Sequence, residues 1–133
     1  MTQKQRTTKN GQFQPKGCWI RPEKRLAIYL RDEFRCVYCL RDMHGVQPQN
    51  ITLDHLNPRS NGGHNHERNL VTCCRWCNSE KQAKRWLAYV RRHWHFCEED
   101  IVERVRFHRR RELKPYLELA RSILAEPKGD DHG

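Results

Sequence analysis

Short apolar clusters at helical or strand spacing alternate with long polar segments along this chain. After Pro22, the residues Leu26, Tyr29 and Leu30 follow i, i+3, i+4 spacing, which predicts a helix over residues 22–32. The triplets 51–53 and 70–72 are β-prone, and the segment between them is rich in Asn, Gly, Pro and Ser. This pattern predicts a two-stranded ribbon with an extended loop. We interpret the first helix as a packing element.

Helical periodicity returns after the second predicted strand. A helix is predicted to begin near Asn78 or Ser79, with an apolar face formed by Ala83, Trp86, Leu87, Val90 and Trp94. We interpret three tryptophans as core residues rather than base-stacking residues: Trp76, Trp86 and Trp94. The acidic cluster 98–100 suits another helix N-terminus. Pro115 interrupts the pattern that follows, which predicts two C-terminal helices or one kinked helix.

These elements predict an α+β fold in a single domain, the natural expectation for 133 residues. We expect a disordered basic arm at residues 1–17, a core at 18–97, a helical extension at 98–126 and a polar tail at 127–133. Only 36% of the residues are hydrophobic, and the mean hydropathy is −1.04. A core this thin usually needs disulfides or a metal ion to be stable.

The cysteines indicate which of these two devices is used. Four of the seven form two C-x-x-C pairs, Cys36/Cys39 and Cys74/Cys77, and an odd total fits a disulfide scaffold poorly. Two such pairs supply the four thiolates of a tetrahedral zinc site. The alternatives are four ordinary buried thiols or two disulfides. Cys73 is not expected to replace Cys74, because it lacks the C-x-x-C spacing to Cys77.

The cellular setting follows from what the sequence does not contain. No apolar run approaches the roughly 18 residues that a membrane span needs, and no apolar signal segment begins the chain. We therefore expect an intracellular, cytoplasmic protein whose thiols stay reduced and bind metal.

The net charge points to a polyanionic partner. It is +10, with a pI of about 9.6. The segment up to Pro22 is basic without a single acid, and residues 81–111 hold ten Lys or Arg against four acids. Plain solubility would not require this uneven placement, so we expect nucleic acid as the partner.

Candidate chemistry lies between the two cysteine pairs and directly after them. Asp54 and His55 are adjacent, Asn69 ends the loop, and Asn78 follows Cys77. A histidine can take a proton from water near neutral pH. A carboxylate and an amide oxygen suffice to hold a hard divalent cation such as Mg²⁺. This set of residues suits metal-dependent cleavage of a phosphodiester bond.

Several motifs in a fixed order carry a resemblance to a known family. They are Asp54-His55, the loop 57–63 with its Gly-Gly, Asn69-Leu70, and C-x-x-C-N-x-x-K over residues 74–81, together with the approach to Cys36. Over about residues 19–82 the chain resembles the zinc-clamped branch of the HNH endonucleases. That resemblance implies a ββα-metal fold, a structural zinc ion and a catalytic Mg²⁺ or Mn²⁺.

The resemblance also implies roles for individual residues. His55 would be the general base, and Asn69 would orient the loop and the base through hydrogen bonds. Asp54 and Asn78 would bind the catalytic cation, with Asn78 standing where the family often has a histidine. From the residues alone, the alternatives are that Asp54 caps the turn and that Asn78 is an N-cap of the following helix.

Phosphate contacts are expected from four basic residues near this motif: Arg59, Lys81, Lys84 and Arg85. The expected activity is nicking of DNA by a monomer or weak dimer, as in small nucleases of phages, mobile elements or bacterial defence. Two alternatives stay open at this point. One is a zinc-stabilised DNA-binding module without chemistry, and the other is an accessory nuclease directed by a protein partner through the C-terminal helices.

Overall fold

The structure is a computed structural model and describes residues 20–125. The predicted arm at 1–17 and the predicted tail at 127–133 lie outside these residues. The elements in chain order are α1 (Pro22–Arg31), β1 (Ile51–His55), β2 (Leu70–Cys74), α2 (Arg75–Lys81), α3 (Trp86–His93), α4 (Glu98–Arg110) and α5 (Lys114–Ala125). This mixture of helices with a small sheet confirms the predicted α+β class.

The two strands form the predicted ribbon. They pair antiparallel, with Ile51 opposite Cys74 and His55 opposite Leu70. Each strand runs two residues beyond its predicted end, so β1 includes both Asp54 and His55. Because β2 continues directly into α2, the ribbon and that helix form one ββα unit.

The prediction of a single helix directly after the ribbon is wrong, because the structure has two helices there, α2 and α3. Helix α2 begins at Arg75, because the thiol of Cys74 accepts a hydrogen bond from the backbone N–H of Cys77 and caps the first turn. Gln82, with a φ of 55°, ends this helix. A new helix starts at Trp86, whose N–H donates to the carbonyl of Leu56. The N-cap interpretation of Asn78 is therefore wrong as well.

The tryptophans differ from one another in their environment. Trp86 is buried and Trp94 packs partly buried against the same cluster, as predicted. Trp76 is 47% exposed, so its assignment to the core is wrong. It lies inside the second C-x-x-C pair on the outer side of α2, where the guanidinium of Arg41 lies 4.5 Å from its ring centre.

A buried ion pair attaches α1 to the ribbon. Arg31 and Asp32 contact each other at 2.7 Å, and the side chains of both are fully buried. Arg31 donates to the carbonyl of Leu70 at 2.7 Å, and the carboxylate of Asp32 accepts from the N–H of Thr72 at 2.7 Å. Buried charges are tolerated when paired and hydrogen-bonded in this way. The pair fixes α1 against β2, beside the end of the long loop.

The two C-terminal helices share the hydrophobic cores of the elements before them. Ile101 and Val105 of α4 belong to the cluster that contains the cysteine quartet and Val90. Leu113 and Ala120 pack in a second cluster with the buried face of α1. The predicted boundary between residues 97 and 98 stays a prediction. Among the helices of residues 20–125, none has the length and apolar character of a membrane span.

Candidate metal centre and active site

The four predicted cysteines converge at one point. Cys36 and Cys39 come from the turn after α1, Cys74 ends β2, and Cys77 lies in the first turn of α2. The four sulfur atoms all lie within 4.8 Å of one another, and the Cys39 and Cys74 sulfurs are 3.8 Å apart. Two thiolates on a tetrahedral zinc ion at about 2.3 Å would be roughly 3.8 Å apart. The quartet thus has the donor type and the spacing to hold a metal ion such as zinc.

The environment of these thiols also favours a cation. The neighbouring thiol of Cys36, and then burial, raise the pKa of Cys39 to about 12. Sulfur atoms packed this closely repel each other as thiolates unless a positive ion lies between them. Cys73 is not one of the four converging cysteines. Its thiol donates to the carbonyl of Cys74 at 3.3 Å and also interacts with the thiol of Cys36.

A second site lies at the end of β1, in an open cavity of about 300 Å³. Its walls come from the end of β1, the start of the long loop, and the last turn of α2. Three of the predicted site residues line it together, namely Asp54, His55 and Asn78. Arg59 and Lys81 line it as well. The ββα unit therefore brings a carboxylate, an imidazole and an amide to one cavity.

The carboxylate of Asp54 is engaged on both oxygens. Oδ2 accepts a hydrogen bond of 2.7 Å from the hydroxyl of Tyr38, and Oδ1 lies 3.0 Å from the ammonium of Lys81. Burial raises the pKa of Asp54, and the charge of Lys81 followed by the hydrogen bond from Tyr38 opposes that rise. These two partners compensate for the burial of the carboxylate.

Lys81 is placed differently from the prediction. A phosphate contact requires an exposed ammonium, but the side chain of Lys81 is 1% exposed. Its ammonium also donates to the carbonyl of His55 at 3.1 Å. It therefore connects the last turn of α2 to the end of β1, and its charge is directed at Asp54.

The imidazole of His55 is half-buried and held by a residue that the sequence did not single out. Its Nε2 lies 2.8 Å from the side-chain oxygen of Asn65. With that oxygen as acceptor, Nε2 carries the proton and Nδ1 keeps its lone pair. Asn65 is fixed from α1, because the ammonium of Lys24 donates to its backbone carbonyl at 2.6 Å. Helix α1 thus supports the site in addition to packing.

Asn69 is buried and holds the loop in shape. Its side-chain oxygen accepts from the N–H of Asn57 at 2.8 Å, and its Nδ2 donates to the carbonyls of Asn57 and His64 at 3.0 and 2.8 Å. The loop is tight at this point, because a Cβ on Gly63 would lie 1.7 Å from the carbonyl oxygen of Asn57. Asn69 therefore holds the backbone of the loop. The ring of His55 is held by the side chain of Asn65.

Asn78 lies inside α2 and points back at β1. Its Nδ2 donates to the hydroxyl of Thr52 at 2.8 Å. This donation leaves the amide oxygen as the acceptor beside the cavity. The carboxylate of Asp54 and the amide oxygen of Asn78 are hard oxygen donors. They are the type of ligand that Mg²⁺ and Mn²⁺ prefer. In the described arrangement, the ammonium of Lys81 supplies the positive charge beside Asp54.

The other predicted phosphate contacts are Arg59, Lys84 and Arg85, and of these Arg59 lines this cavity. Arg59 is exposed in the short 3₁₀ turn that follows Pro58. Lys84 is half-buried in the break between α2 and α3, and Arg85 is exposed as the N-cap residue of α3.

Comparison with known proteins agrees with this geometry. Residues 36–94 match the family model described as HNH endonuclease. The matched segment contains the cysteine quartet and all the residues that line the cavity of His55. No curated protein and no solved structure matches the chain.

Proposed function

We propose that this chain, whose residues 36–94 match the HNH endonuclease family model, is a metal-dependent DNA endonuclease that nicks one strand per encounter. The observation that carries this proposal is the convergence of His55, Asp54 and Asn78 on one open cavity. A DNA-binding module without chemistry gives no reason for an imidazole to share a cavity with two hard oxygen donors.

His55 is the general base in this proposal. Its Nδ1 takes a proton from a water molecule, whose oxygen forms a bond to phosphorus as the bond to the leaving oxygen breaks. The leaving oxygen takes its proton from solvent water. Asn65 keeps the ring in the tautomer with a free Nδ1, since its oxygen accepts the hydrogen bond from Nε2. Asn69 maintains the loop that carries Asn65.

Asp54 and Asn78 are the residues that would hold the divalent cation. When bound, such an ion stabilises negative charge on the phosphoryl and leaving oxygens. The cysteine quartet has no part in this chemistry. A zinc ion there would join the turn at Cys36 to α2, and so keep the ribbon and the helix in register around the cavity.

The net charge of +10 supports DNA as the substrate. Contacts from Arg59, Lys84 and Arg85 would bind phosphates without reading sequence, so affinity should depend strongly on salt. That the C-terminal helices dock a protein partner stays a prediction.

A nicking assay on supercoiled plasmid tests this function. The full chain with zinc bound should convert the plasmid to its relaxed form only when Mg²⁺ or Mn²⁺ is added. His55→Ala should reduce the rate by about 10²- to 10⁴-fold. His95→Ala, an exposed histidine on the 3₁₀ turn before α4, is the matched control and should cut at the parent rate. Equal cutting by His55→Ala and the parent would remove His55 from the mechanism.

One observation favours a second candidate function, a zinc-stabilised DNA-binding module without chemistry. The ammonium of Lys81 already compensates the buried carboxylate of Asp54, so the fold does not require a divalent cation there. In that case DNA binding should not require Mg²⁺, and no nicking should occur with either cation.

A further inference from the structure

A second cavity, of about 220 Å³, lies on the other side of the long loop. It is formed between the start of α3 and the last turns of α4. Arg85 and Arg109 line it from these two helices, and Asn57 and Asn69 line it from the loop. We propose that this cavity is a second phosphate site, which binds a backbone phosphate of the DNA away from the one that is cut. This proposal rests on the proposed function, and it assigns a binding role to α4.

The guanidinium of Arg109 is fixed in place. Its Nε donates to the carbonyl of Arg68 at 2.8 Å. Arg68 lies in the 3₁₀ turn Glu67–Asn69, directly before Asn69. Since this bond uses Nε, the two terminal nitrogens remain for another acceptor. A guanidinium that is held in this way can bind a phosphate oxygen without first losing rotational freedom.

The surroundings of Arg109 are basic. Burial, followed by the charges of Arg68, Arg106 and Arg31, lowers the pKa of Arg109. Of these cations, Arg31 is compensated by its ion pair with Asp32. A phosphate in the cavity would supply the anionic charge that this cluster of arginines needs.

Arg85 gives an independent reason to place an anion here. It is the N-cap residue of α3, and it has no side-chain capping bond and no acidic residue in the helix's first turn. The N-terminal end of a helix carries partial positive charge, so a cation is unfavourable at this position. Arg109 lies in the last turn of α4, where the negative end of the helix dipole favours a cation. Arg85 lies at the positive end of α3, so the dipole does not account for it. A phosphate between Arg85 and Arg109 would be attracted by both guanidinium groups and by the helix end.

The loop connects this cavity to the site of His55. Asn57 lines the second cavity, and the following residue, Pro58, lines the first. Asn69 holds this part of the loop through its bonds to both backbone groups of Asn57. A DNA strand that reaches His55 therefore passes close to Arg85 and Arg109.

The groove beyond the second cavity provides a contrast in charge. Leu87 also lines a larger groove between α3 and α4, in which three glutamates accompany three arginines. One of these arginines is Arg91, whose Nε is 3.3 Å from the carboxylate of Glu98. The cavity of Arg85 and Arg109 has no acidic residue in its lining among residues 20–125, so a phosphate is favoured there. Arg91 is therefore a matched control, an arginine of the adjoining groove that already has an acidic partner.

The test measures binding without cutting. The full-length, zinc-loaded His55→Ala protein is titrated onto a short labelled duplex by fluorescence anisotropy, without added Mg²⁺, at several salt concentrations. Adding Arg85→Gln and Arg109→Gln together should weaken binding at low salt. It should also reduce the slope of log affinity against log salt by about 1, the value for one phosphate contact. Arg91→Gln should leave the slope unchanged.

A conservative variant separates charge from scaffold. Arg109→Lys keeps the positive charge and should keep most of the salt slope. An equal loss of slope in Arg109→Lys and Arg109→Gln would assign the effect to the packing of α4 on the loop, and so overturn the phosphate site. An unchanged slope in the double variant, or the same loss in Arg91→Gln, would also overturn it.

Failure of this proposal can be distinguished from failure of the proposed nuclease function. In the parent background, the double variant should raise the DNA concentration needed for half-maximal nicking. If the parent chain does not nick but the slope still falls in the double variant, the phosphate site stands and the nuclease assignment fails. If the parent nicks and the slope is unaffected in the double variant, the nuclease assignment stands and the phosphate site fails.

Discussion

The ammonium of Lys81 lies 3.0 Å from Oδ1 of Asp54, and the two side chains are 1% and 2% exposed. An ion pair this deeply buried is costly to form and costly to break, because each partner leaves an unpaired charge behind if the other is removed. The pair also lies where the family resemblance places a divalent cation. Lys81 therefore balances Asp54 in the arrangement described, and binding of a divalent cation must add to or replace that charge.

Replacing Lys81 by methionine tests this relationship. Lys81→Met leaves the buried carboxylate unpaired, and the free energy of unfolding should fall by roughly 3–5 kcal/mol. If Asp54 binds the divalent cation, Mg²⁺ should recover part of the loss, and it should raise the urea midpoint more in this variant than in the parent. The double variant Asp54→Asn, Lys81→Met carries neither charge. A response to Mg²⁺ in this variant as large as in Lys81→Met would show that Asp54 is not the ligand.

Asn69 should affect the rate of cutting more than DNA binding. Asn69→Ala removes three hydrogen bonds to the loop backbone, and stability should fall by about 1–3 kcal/mol because buried loop groups lose their partner. Nicking should fall further than affinity, since Asn65 would no longer be held against His55. Asn61→Ala, an exposed asparagine of the same loop, is the control. Parent-like nicking by folded Asn69→Ala would contradict a role for the loop in orienting the base.

The neighbouring cysteines Cys73 and Cys74 should respond differently to substitution. We expect one zinc ion per chain by elemental analysis, lost in Cys74→Ser and retained in Cys73→Ser, because the Cys73 thiol is directed at a backbone carbonyl. Loss of the metal should also unfold the chain, visible by circular dichroism, since binding free energy is folding free energy in a small metal-stapled core. Equal zinc contents in the two variants would refute the quartet.

His108 should make stability depend on pH. It is buried on α4, its Nδ1 has no hydrogen-bond partner among residues 20–125, and Asp32 lies 3.7 Å away. Burial lowers the pKa of His108 below its ordinary value of 6.5. Asp32 opposes this shift, and Arg31 and Arg111 reinforce it.

The direction of the pH effect follows from this shift. Below about pH 6.5 the unfolded chain binds a proton that the folded His108 resists, so stability should fall as the pH falls. His108→Gln should reduce this dependence in urea unfolding measured at neutral and mildly acidic pH, and the exposed control His95→Gln should not. A parent whose stability is the same at both pH values would contradict the lowered pKa.

Local features of the chain were predictable because their determinants lie within a few residues. The spacing of the cysteine pairs predicted the quartet, and the β-prone triplets around a polar loop predicted the ribbon. Pro22 and the apolar spacing after it predicted α1 to within one residue of its end. The order of Asp54, His55, Asn69 and Asn78 indicated the family.

Other features depended on contacts between distant segments, so they could not be read from local patterns. The backbone reversal at Gln82 and the anchoring of Trp86 on Leu56 divided one predicted helix into two. The sequence alone thus determined the two cysteine pairs and the motif, since spacing sets how close neighbouring side chains can come. Only the tertiary structure directed Lys81 inward to Asp54, placed Asn65 on His55 and brought Arg109 beside the loop, because each depends on segments that meet only when the cores pack.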